Sequence, residues 1–525
     1  MLIAMLLSSM AHAQSFGPIP DRFNTISQNS VTSVEGSGSI LWTGPGLNAF
    51  FEDTGEIFVP ENADSIFGGR GRVFSLSVDG SNVFAGLGFT STRGGDPVQA
   101  AMGYYRSSNS GGSWSFIPFP LDDRSPDGCD ANSIGPPCDL EFQYGGQTYI
   151  RTRITVPEQS PPFEVDFSGS TMLSVNWASG LLRSTDNGVT WERMILPPYT
   201  ETELIPSNEF TWRSQTTDGD QVNRYDPRFD TNLLGFGLLI DSSGRTWVGT
   251  AGGINISDNV LDAPFEEVAW HRIAWQPDVG QGLLANWIVA IREDPATGRV
   301  WMTNWRTDPQ NRDQFGIVST ADGGETFSRH LEGVRVNDIG FFNGQVFAAA
   351  DNGLYRSDDN GETWSRVDRI QSLNSFIRSD TRYFTVSATD RNLWVGTGDG
   401  LASTDDGGDS WRIVRVDMPL RGGNVYQSDA PDVSTYAYPN PYSPRQHSVV
   451  RIKFEMEQQG TATVRLFDFG MNRVRTLLVE PMGPGSYEAV WDGTDDSGRL
   501  AASGTYIYII DKPGGRTDGK ILLLD

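Results

Sequence analysis

Short apolar runs alternate with polar turns along most of the chain, and one kind of run recurs. In it an aromatic or aliphatic residue leads into small residues, as in Trp247-Val-Gly-Thr250 and Trp394-Val-Gly-Thr397. Its seven copies are centred on Trp42, Phe84, Leu173, Trp247, Trp301, Phe347 and Trp394. The last three intervals are 54, 46 and 47 residues, close to the roughly 40 to 50 residues of a four-stranded propeller blade. The pattern predicts an all-β, seven-bladed β-propeller over residues 20–420, with insertions at 119–168 and 196–232 and with these runs as crowded inner strands.

An eight-residue turn phrase follows several of these runs. Ser184-Thr-Asp-Asn-Gly-Val-Thr-Trp191 recurs as Ser357-Asp-Asp-Asn-Gly-Glu-Thr-Trp364, and looser copies occupy 107–114, 320–327 and 404–411. In such a phrase the acidic and hydroxyl side chains bond the turn backbone, the glycine supplies a positive φ, and the aromatic ring packs between sheets. We therefore predict structural roles, and not catalytic ones, for Asn109, Trp114, Asp186, Trp191, Asp322, Phe327, Asp359, Trp364, Asp406 and Trp411.

The turn phrase resembles the Asp-box, or bacterial neuraminidase repeat, whose pattern is S-x-D-x-G-x-T-W. The resemblance implies a sialidase-like propeller, in a group that includes sialidases, some xyloglucan-degrading enzymes, sortilin-type receptors and photosystem assembly factors. Sialidases carry an N-terminal Arg-Ile-Pro phrase, whereas Gly17-Pro-Ile-Pro20 lacks the arginine. Xyloglucan-degrading relatives usually pair two propellers, and one is predicted here. We therefore favour a binding or scaffold module over an exported glycoside hydrolase, which stays the alternative, and assign no catalytic residue.

A second domain is predicted over residues 434–525, after a linker at 421–433. Strand-like alternation is plain at 449–454, 462–468 and 505–510, which indicates a small Ig-like β-sandwich. The domain resembles FlgD/Vpr-type Ig-like domains and the C-terminal sorting domains of type IX secretion cargo. The residues that carry the resemblance are Tyr438-Pro-Asn-Pro441, Val464-Arg-Leu-Phe-Asp468, Trp491-Asp-Gly493, Ser503-Gly-Thr-Tyr506 and Gly519-Lys-Ile-Leu-Leu-Leu524. It implies export through type IX-like machinery, although the chain finishes on Asp525 where such tails usually have a basic residue.

Residues 1–13 read as a signal peptide that ends in the small-x-small pattern Ala11-His-Ala13. A basic segment is missing before the apolar run, which indicates a truncated leader. No later stretch is long and apolar enough to predict a transmembrane helix. A secreted or cell-surface location follows, and it accounts for a predicted structural disulfide between Cys129 and Cys138.

The charge balance narrows the range of partners. The chain has 40 basic and 66 acidic residues, a net charge of −26, which excludes nucleic acid and disfavours anionic membranes. The residues also lack zinc-ligand spacing, a G-x-S-x-G elbow and a phosphate-binding loop, so no cofactor or metal is predicted. The acidic turn at 492–498 could hold a structural calcium ion, but its spacing favours a plain turn.

A ligand-binding face is predicted on the propeller from residues that combine aromatic rings with guanidinium groups. The candidates are Trp212, Arg213, Arg224, Tyr225, Arg228, Trp270, Arg272, Trp305 and Arg306. The partner predicted for them is a glycan, a peptide or a surface protein. The open alternative is that these segments are loops whose aromatic rings pack between blades.

Overall fold

The computed structural model describes residues 22–23, 29–58, 71–130, 132–277, 280–308, 310, 312–372, 375–415, 433–444, 447 and 449–524, with only the backbone at 22–23 and 56–58. The predicted signal peptide and residues 421–432 of the predicted linker lie outside these ranges. Two compact units divide the chain, one formed by residues 1–368 and 381–410 and the other by 369–380 and 411–525. Within the described residues the regular elements are strands and two short 3-10 turns, Thr231–Leu233 and Phe265–Glu267. The all-β prediction is confirmed.

The described part of the first unit contains seven antiparallel sheets of three or more strands, numbered here in chain order. Their strands are: sheet 1, Ser33–Ser37, Ile40–Gly44, Asn48–Phe51, Glu56–Phe58 and Arg22–Phe23; sheet 2, Gly71–Asp79, Asn82–Arg93, Asp96–Ser107 and Ser115–Pro118; sheet 3, Pro162–Ser168, Thr171–Asn176, Gly180–Ser184 and Glu192–Met194; sheet 4, Gly235–Ile240, Thr246–Thr250, Gly253–Ser257, Trp270–Ile273 and Glu203–Leu204; sheet 5, Trp287–Glu293, Val300–Trp305, Gly316–Thr320 and Ser328–His330; sheet 6, Val336–Phe342, Gln345–Ala350, Gly353–Ser357 and Ser365–Arg366; sheet 7, Tyr383–Ala388, Leu393–Thr397 and Gly400–Thr404.

The sheets close into a ring around their first strands. The first strand of each sheet contacts that of the next, and the first strand of sheet 7 contacts that of sheet 1. At this closure Val34 N donates to Thr385 Oγ1 at 3.3 Å, and Gly36 N donates to Ser387 Oγ at 3.1 Å. The unit is a β-propeller whose channel is lined by the seven first strands.

The recurrent apolar runs form the second strand of each sheet. Trp247 and Trp394 are each 1% exposed, and every residue of their strands is buried. These runs were predicted as crowded inner strands near the channel, and they lie one strand further out than the innermost strand. A second strand is covered on both faces by the neighbouring sheets, so bulky and small residues there fill the space between blades.

The two insertions pack together beside sheets 3 and 4. They carry the hairpins Leu140–Tyr144 with Gln147–Arg151 and Arg213–Gln215 with Gln221–Asn223. Tyr144, Tyr149 and Trp212 from them share one buried cluster with Leu181 and Val248 of the propeller. The insertions thus form an ordered extension of the propeller core.

The second unit contains a two-sheet sandwich. One sheet has the order Thr435–Tyr438, Val450–Met456, Gly485–Trp491, and the other Arg473–Met482, Gly460–Phe467, Gly504–Lys512, Gly515–Leu523. A further strand is Arg412–Val414. Trp491 is fully buried, with its ring centroid 5.0 Å from that of Tyr506. The alternation read from the sequence places such residues on the inner faces, and the predicted Ig-like sandwich is confirmed.

Among the described residues, none belongs to a helix that is long and apolar enough to span a membrane.

Candidate binding site in the propeller channel

The predicted ligand residues of the second insertion lie together, mostly out of reach of solvent. Trp212 is buried and donates its indole N–H to a backbone carbonyl oxygen at 3.0 Å, and the ring of Tyr225 lies 5.5 Å from it. Arg224 pairs with the buried carboxylate of Asp226 at 3.1 Å, and the exposed Arg228 reaches the same carboxylate at 2.6 Å. Burial of the rings and pairing of the guanidinium groups make this cluster a core of the insertion.

The other predicted ligand residues lie apart from this cluster. Trp270 is buried, and Arg272 donates to backbone carbonyl oxygens at 2.6 and 2.7 Å. Trp305 is half-buried, donates to a carbonyl oxygen at 2.7 Å and carries the guanidinium of Arg335 3.9 Å above its ring. Arg213 and Arg306 are exposed. The predicted binding face stays a prediction, and its exposed members are Arg213, Arg228 and Arg306.

The turn phrases share one hydrogen-bond pattern. In sheet 6, Oδ1 of Asp359 accepts from Ser357 Oγ and Thr363 N, both at 2.8 Å, and Oδ2 accepts from Thr363 Oγ1 at 2.6 Å. The bond from the Thr363 hydroxyl is the main reason that the pKa of Asp359 falls to about 2. Corresponding bonds are made by Asn109, Asp186, Asp322 and Asp406. These side chains are engaged by their own turns, while the family assignment of the phrase stays a prediction.

The aromatic residues of these turns pack onto the preceding sheet. Ring centroids are 5.6 Å apart for Trp114 and Trp42, 4.9 Å for Trp191 and Tyr104, and 6.4 Å for Trp364 and Trp301. Phe327 lies against the buried cluster that contains Trp247. Trp411 falls in the second unit and is half-buried. In the propeller the rings therefore fasten one blade to the next.

A register shift recurs at the beginning of the first strand in six of the seven sheets. The shifts lie between Val73/Ser75, Pro162/Glu164, Gly235/Gly237, Ile288/Ile291, Val336/Asp338 and Tyr383/Thr385. Such a bulge leaves a residue without a cross-strand partner and turns its side chain. In four sheets the residue passed over is a phenylalanine, namely Phe74, Phe163, Phe236 and Phe384.

These phenylalanines and two tryptophans form what we call the aromatic collar: Phe74, Phe163, Trp177, Phe236, Trp287 and Phe384. Ring centroids lie 6.3 Å apart for Phe74 and Phe163, 5.7 Å for Phe163 and Phe236, and 4.9 Å for Phe236 with each tryptophan. Phe384 lines the same cavity as Phe74 and Phe163. All six rings are half-buried except Phe236, which is 9% exposed. In the sequence, the collar is visible only as an aromatic residue near the beginning of several first strands. These aromatic residues do not follow the alternation of apolar and polar positions by which a strand is normally recognised.

Charged side chains line the channel next to the collar. We call Glu35, Glu164, Asp166, Arg292 and Asp338 the channel cluster. Nη1 of Arg292 lies 3.2 Å from Glu164, and its Nε lies 3.2 Å from Asp338. Burial opposes the charge of Arg292, but Asp338, Glu164 and Glu35 together raise its pKa. The guanidinium therefore joins first strands of sheets 3, 5 and 6.

The carboxyl groups of the cluster differ in the hydrogen bonds that they accept. Asp338 also accepts from Thr385 Oγ1 at 2.8 Å, and Asp166 accepts from Ile240 N at 2.7 Å. Within the described part of the chain, no group donates a hydrogen bond to the Glu35 carboxyl. Burial raises the pKa of Glu35 to about 8 and that of Glu164 to about 7.

The collar and the cluster border one cavity of about 170 Å³. Its lining includes Glu35, Phe74, Phe163, Glu164 and Arg292. Groups of three or more His, Cys, Asp or Glu side chains that could hold a metal ion are absent from the described residues. The arrangement offers aromatic faces beside carboxylates, which suits non-covalent recognition.

The remaining predicted groups lie elsewhere. Cys129 and Cys138 form a disulfide with Cα atoms 5.6 Å apart. In the acidic turn of the second unit, Asp495 accepts from Ser497 Oγ at 2.6 Å and Arg499 N at 3.0 Å. The Ser497 hydroxyl is the main cause that lowers the pKa of Asp495 to about 2. This carboxylate is engaged by its own turn.

Comparison with known families identifies the C-terminal domain. Residues 445–511 match the FlgD Ig-like domain family. No curated protein matches the sequence of the chain.

The chain is similar in structure to several solved proteins at low sequence identity. One is PorZ of Porphyromonas gingivalis, described as an essential bacterial surface component of the type-IX secretion system, at 14% identity and a TM-score of 0.33 over 94% of this chain and 75% of that chain. Another is YCF48 from Cyanidioschyzon merolae, at 16% identity and 0.40 over 73% and 96%. A third is an ancestral GH74 enzyme, at 14% identity and 0.29 over 98% and 84%. Similarities of this size assign no function.

Proposed function

We propose that the chain is a secreted or cell-surface bacterial protein whose propeller binds a glycan, a peptide or a surface protein at the aromatic collar. The observation that carries the proposal is the set of bulged phenylalanines. Burying a ring between sheets needs no bulge, because the second strands already do so, as Trp247 and Trp394 illustrate. The bulges instead bring half-buried rings to the channel, where partly exposed aromatic faces can stack on a partner.

The charged groups beside the collar add selectivity to this surface. Glu164 and Arg292 line the cavity and present a carboxylate and a guanidinium next to the rings. Apolar faces with a few convergent polar groups are typical of ligand pockets. The proposed role of the propeller is therefore recognition, with the Asp-box turns acting as fasteners between blades.

We assign the C-terminal domain a role in export or anchoring. The FlgD Ig-like match at residues 445–511 supports a separate functional module, and the motifs quoted above from its sequence favour a type IX-like route. Deletion of residues 434–525 should abolish surface delivery while the propeller still folds. Unchanged delivery of the deletion variant would remove this part of the proposal.

Binding at the collar can be tested on glycan and peptide arrays with the purified full chain. The variants W177A and W287A should each weaken array binding at least tenfold, because each removes a ring that contacts Phe236. W275A is the matched control: Trp275 is half-buried, outside the collar, and lies 6.0 Å from the guanidinium of Arg312. Absence of any array ligand, or equal binding by all three variants, would refute the proposal.

A glycoside hydrolase is the second candidate, and one observation favours it. The pKa of Glu164 is raised to about 7 by burial, which suits a general acid, and Asp338 lies on the other side of the shared Arg292. Turnover of fluorogenic sialosides or β-glucans that is lost in E164Q would establish this activity. We expect no turnover, because both carboxylates are held by the guanidinium.

A further inference from the structure

We infer that the cavity between the collar and the channel cluster accepts one cationic group, the guanidinium or ammonium of a peptide partner. The inference rests on the proposed function and names the chemistry of its ligand.

The size of the cavity limits what can enter. Its volume is about 170 Å³, whereas pockets for drug-sized ligands are roughly 300 to 1,000 Å³. The space therefore holds a single side chain or chain end. A larger partner would rest on the collar and insert one group.

Acidic groups outnumber basic groups around the cavity. The cluster has four carboxyl groups and one guanidinium, Arg292, which is engaged with Glu164 and Asp338. A second guanidinium, Arg72, lies 4.7 Å from the ring centroid of Phe74. When all four carboxyl groups are ionised, they outnumber the guanidinium groups among these residues by two, and an entering cation then improves the balance.

Glu35 is a carboxyl group to which none of the described residues donates a hydrogen bond. Two hydroxyl groups on the neighbouring first strands of sheets 2 and 7 have other partners: Ser77 donates to Asp166, and Ser387 accepts from the Gly36 N–H. An ammonium or guanidinium group in the cavity would supply the donors that the Glu35 carboxyl lacks. Phe74 and Phe163 line the same space and can add cation–π attraction.

Binding of a cation should be linked to the release of a proton. The titratable and charged groups that face Glu35 are Arg292, Asp338, Glu164 and Asp166. Because burial raises the pKa of Glu35 to about 8, much of this carboxyl is protonated at neutral pH. A bound cation favours the ionised form, so affinity should rise between pH 6.5 and 8.5.

The test compares two probes on the full chain by titration calorimetry: the tripeptides acetyl-Gly-Arg-Gly-amide and acetyl-Gly-citrulline-Gly-amide. Citrulline has nearly the shape of arginine but no charge. We expect the arginine peptide to bind at least tenfold more tightly at pH 8.5, and its advantage to shrink at pH 6.5. In E35Q the advantage and its pH dependence should both be lost, whereas D53N, at a surface acid that is 59% exposed, should behave as the parent.

The outcomes separate the two levels of the proposal. Equal binding of both peptides, or no binding of either at millimolar concentration, refutes the cationic ligand. If array ligands then still bind in a manner sensitive to W177A and W287A, collar recognition stands without it. If those ligands also fail, both proposals fall. The comparison of probes on the unaltered protein keeps the test valid even if E35Q does not fold.

Discussion

Nδ1 of His330 lies 2.8 Å from the carbonyl oxygen of Gly361, which links sheet 5 to the turn phrase of sheet 6 at residues 357–364. Because a carbonyl only accepts, Nδ1 carries the proton, and Nε2 of the neutral ring accepts from Ser319 Oγ at 2.8 Å. Ser319 is fully buried. The His330–Ser319 hydrogen bond therefore stabilises the packing between blades and is not accessible to a substrate.

The pairing predicts a loss of stability in mild acid. Burial lowers the pKa of His330, so the neutral ring stabilises the fold above the ordinary histidine pKa of about 6.5. That contribution should be lost as the pH falls from there through the lower folded value. Thermal unfolding between pH 5 and 8 measures it. H330Q should flatten the profile, while the exposed His271 gives the control H271Q; identical profiles for H330Q and the parent would contradict the assignment.

Removal of the Glu52 carboxylate should weaken the closure of the ring. Its Oε1 accepts from Trp394 Nε1 at 2.9 Å, from Asn392 Nδ2 at 2.7 Å and from the Thr389 hydroxyl. E52A removes the acceptor that these three donors share, and we expect a loss of about 1 to 3 kcal/mol in the free energy of unfolding. Urea unfolding gives the value, with the neighbouring exposed Asp53 providing the control D53N. A loss no larger than that of the control would show that the contact is unimportant.

Asp359 should contribute more to the stability of the fold than the neighbouring Asp358. D359A removes three hydrogen bonds within the turn, whereas Asp358 is 59% exposed and forms a surface pair with Arg356. The melting temperature should fall further in D359A than in D358A. Since the folded pKa of Asp359 is about 2, its contribution should be present above the ordinary aspartate pKa of about 4 and vanish as the pH falls through 2. Acid titration of both variants tests this sign.

Phe327 offers a site for stabilisation. In the equivalent turns the indole nitrogens of Trp191 and Trp364 donate to the glycine carbonyl oxygens at 3.1 and 3.2 Å. Phe327 has no such donor and borders a cleft of about 470 Å³ lined also by Leu283 and His271. F327W should fill part of the cleft and raise stability by about 0.5 to 1.5 kcal/mol. A decrease in the melting temperature would mean that the cleft cannot take the larger ring.

Glu488 should be essential for the second unit. Its carboxylate, 13% exposed, lies 3.3 Å from Arg451 and 3.5 Å from Arg415, and it accepts from the Tyr438 hydroxyl. E488A leaves two buried guanidinium groups without this partner, and we expect a loss of about 3 to 5 kcal/mol. Scanning calorimetry should show this loss of stability in the unfolding transition of the second unit and not in that of the propeller. The exposed Glu480 supplies the control E480A, and a similar small effect in both would count against the cluster.

The sequence was sufficient to predict that the recurrent apolar runs are strands, although not which strand of each blade they form, and to predict the sandwich of the second unit. Trp247 and Trp394 each begin a short run of apolar and small residues, which is typical of a strand buried on both faces. Trp491 follows the alternation of a sandwich strand. The aromatic collar could not be predicted in the same way, because a bulge shifts the alternation and puts neighbours such as Phe163 and Glu164 along the same cavity.

The predicted ligand residues show a second limit. Trp212 and Tyr225 occur in a Pro- and Gly-containing insertion that reads as a surface loop, yet they are 0% and 3% exposed. Their burial depends on a hairpin about 70 residues earlier, around Tyr149. A contact of that range leaves no periodic signal, so composition alone could not separate a binding face from a local core.

The joining of sheet 1 to sheet 7 also sets an order of events during synthesis. Val34 and Thr385 are 351 residues apart, so the flank of the earliest blade has no neighbour until almost the whole propeller has left the ribosome. Each blade synthesised in between can pack against the preceding blade as it emerges, whereas the free flank of the first blade is covered only when the last blade has been made. The assembly should therefore complete in one late step, and fragments that end before residue 383 should expose an uncovered blade edge and be cleared by proteases.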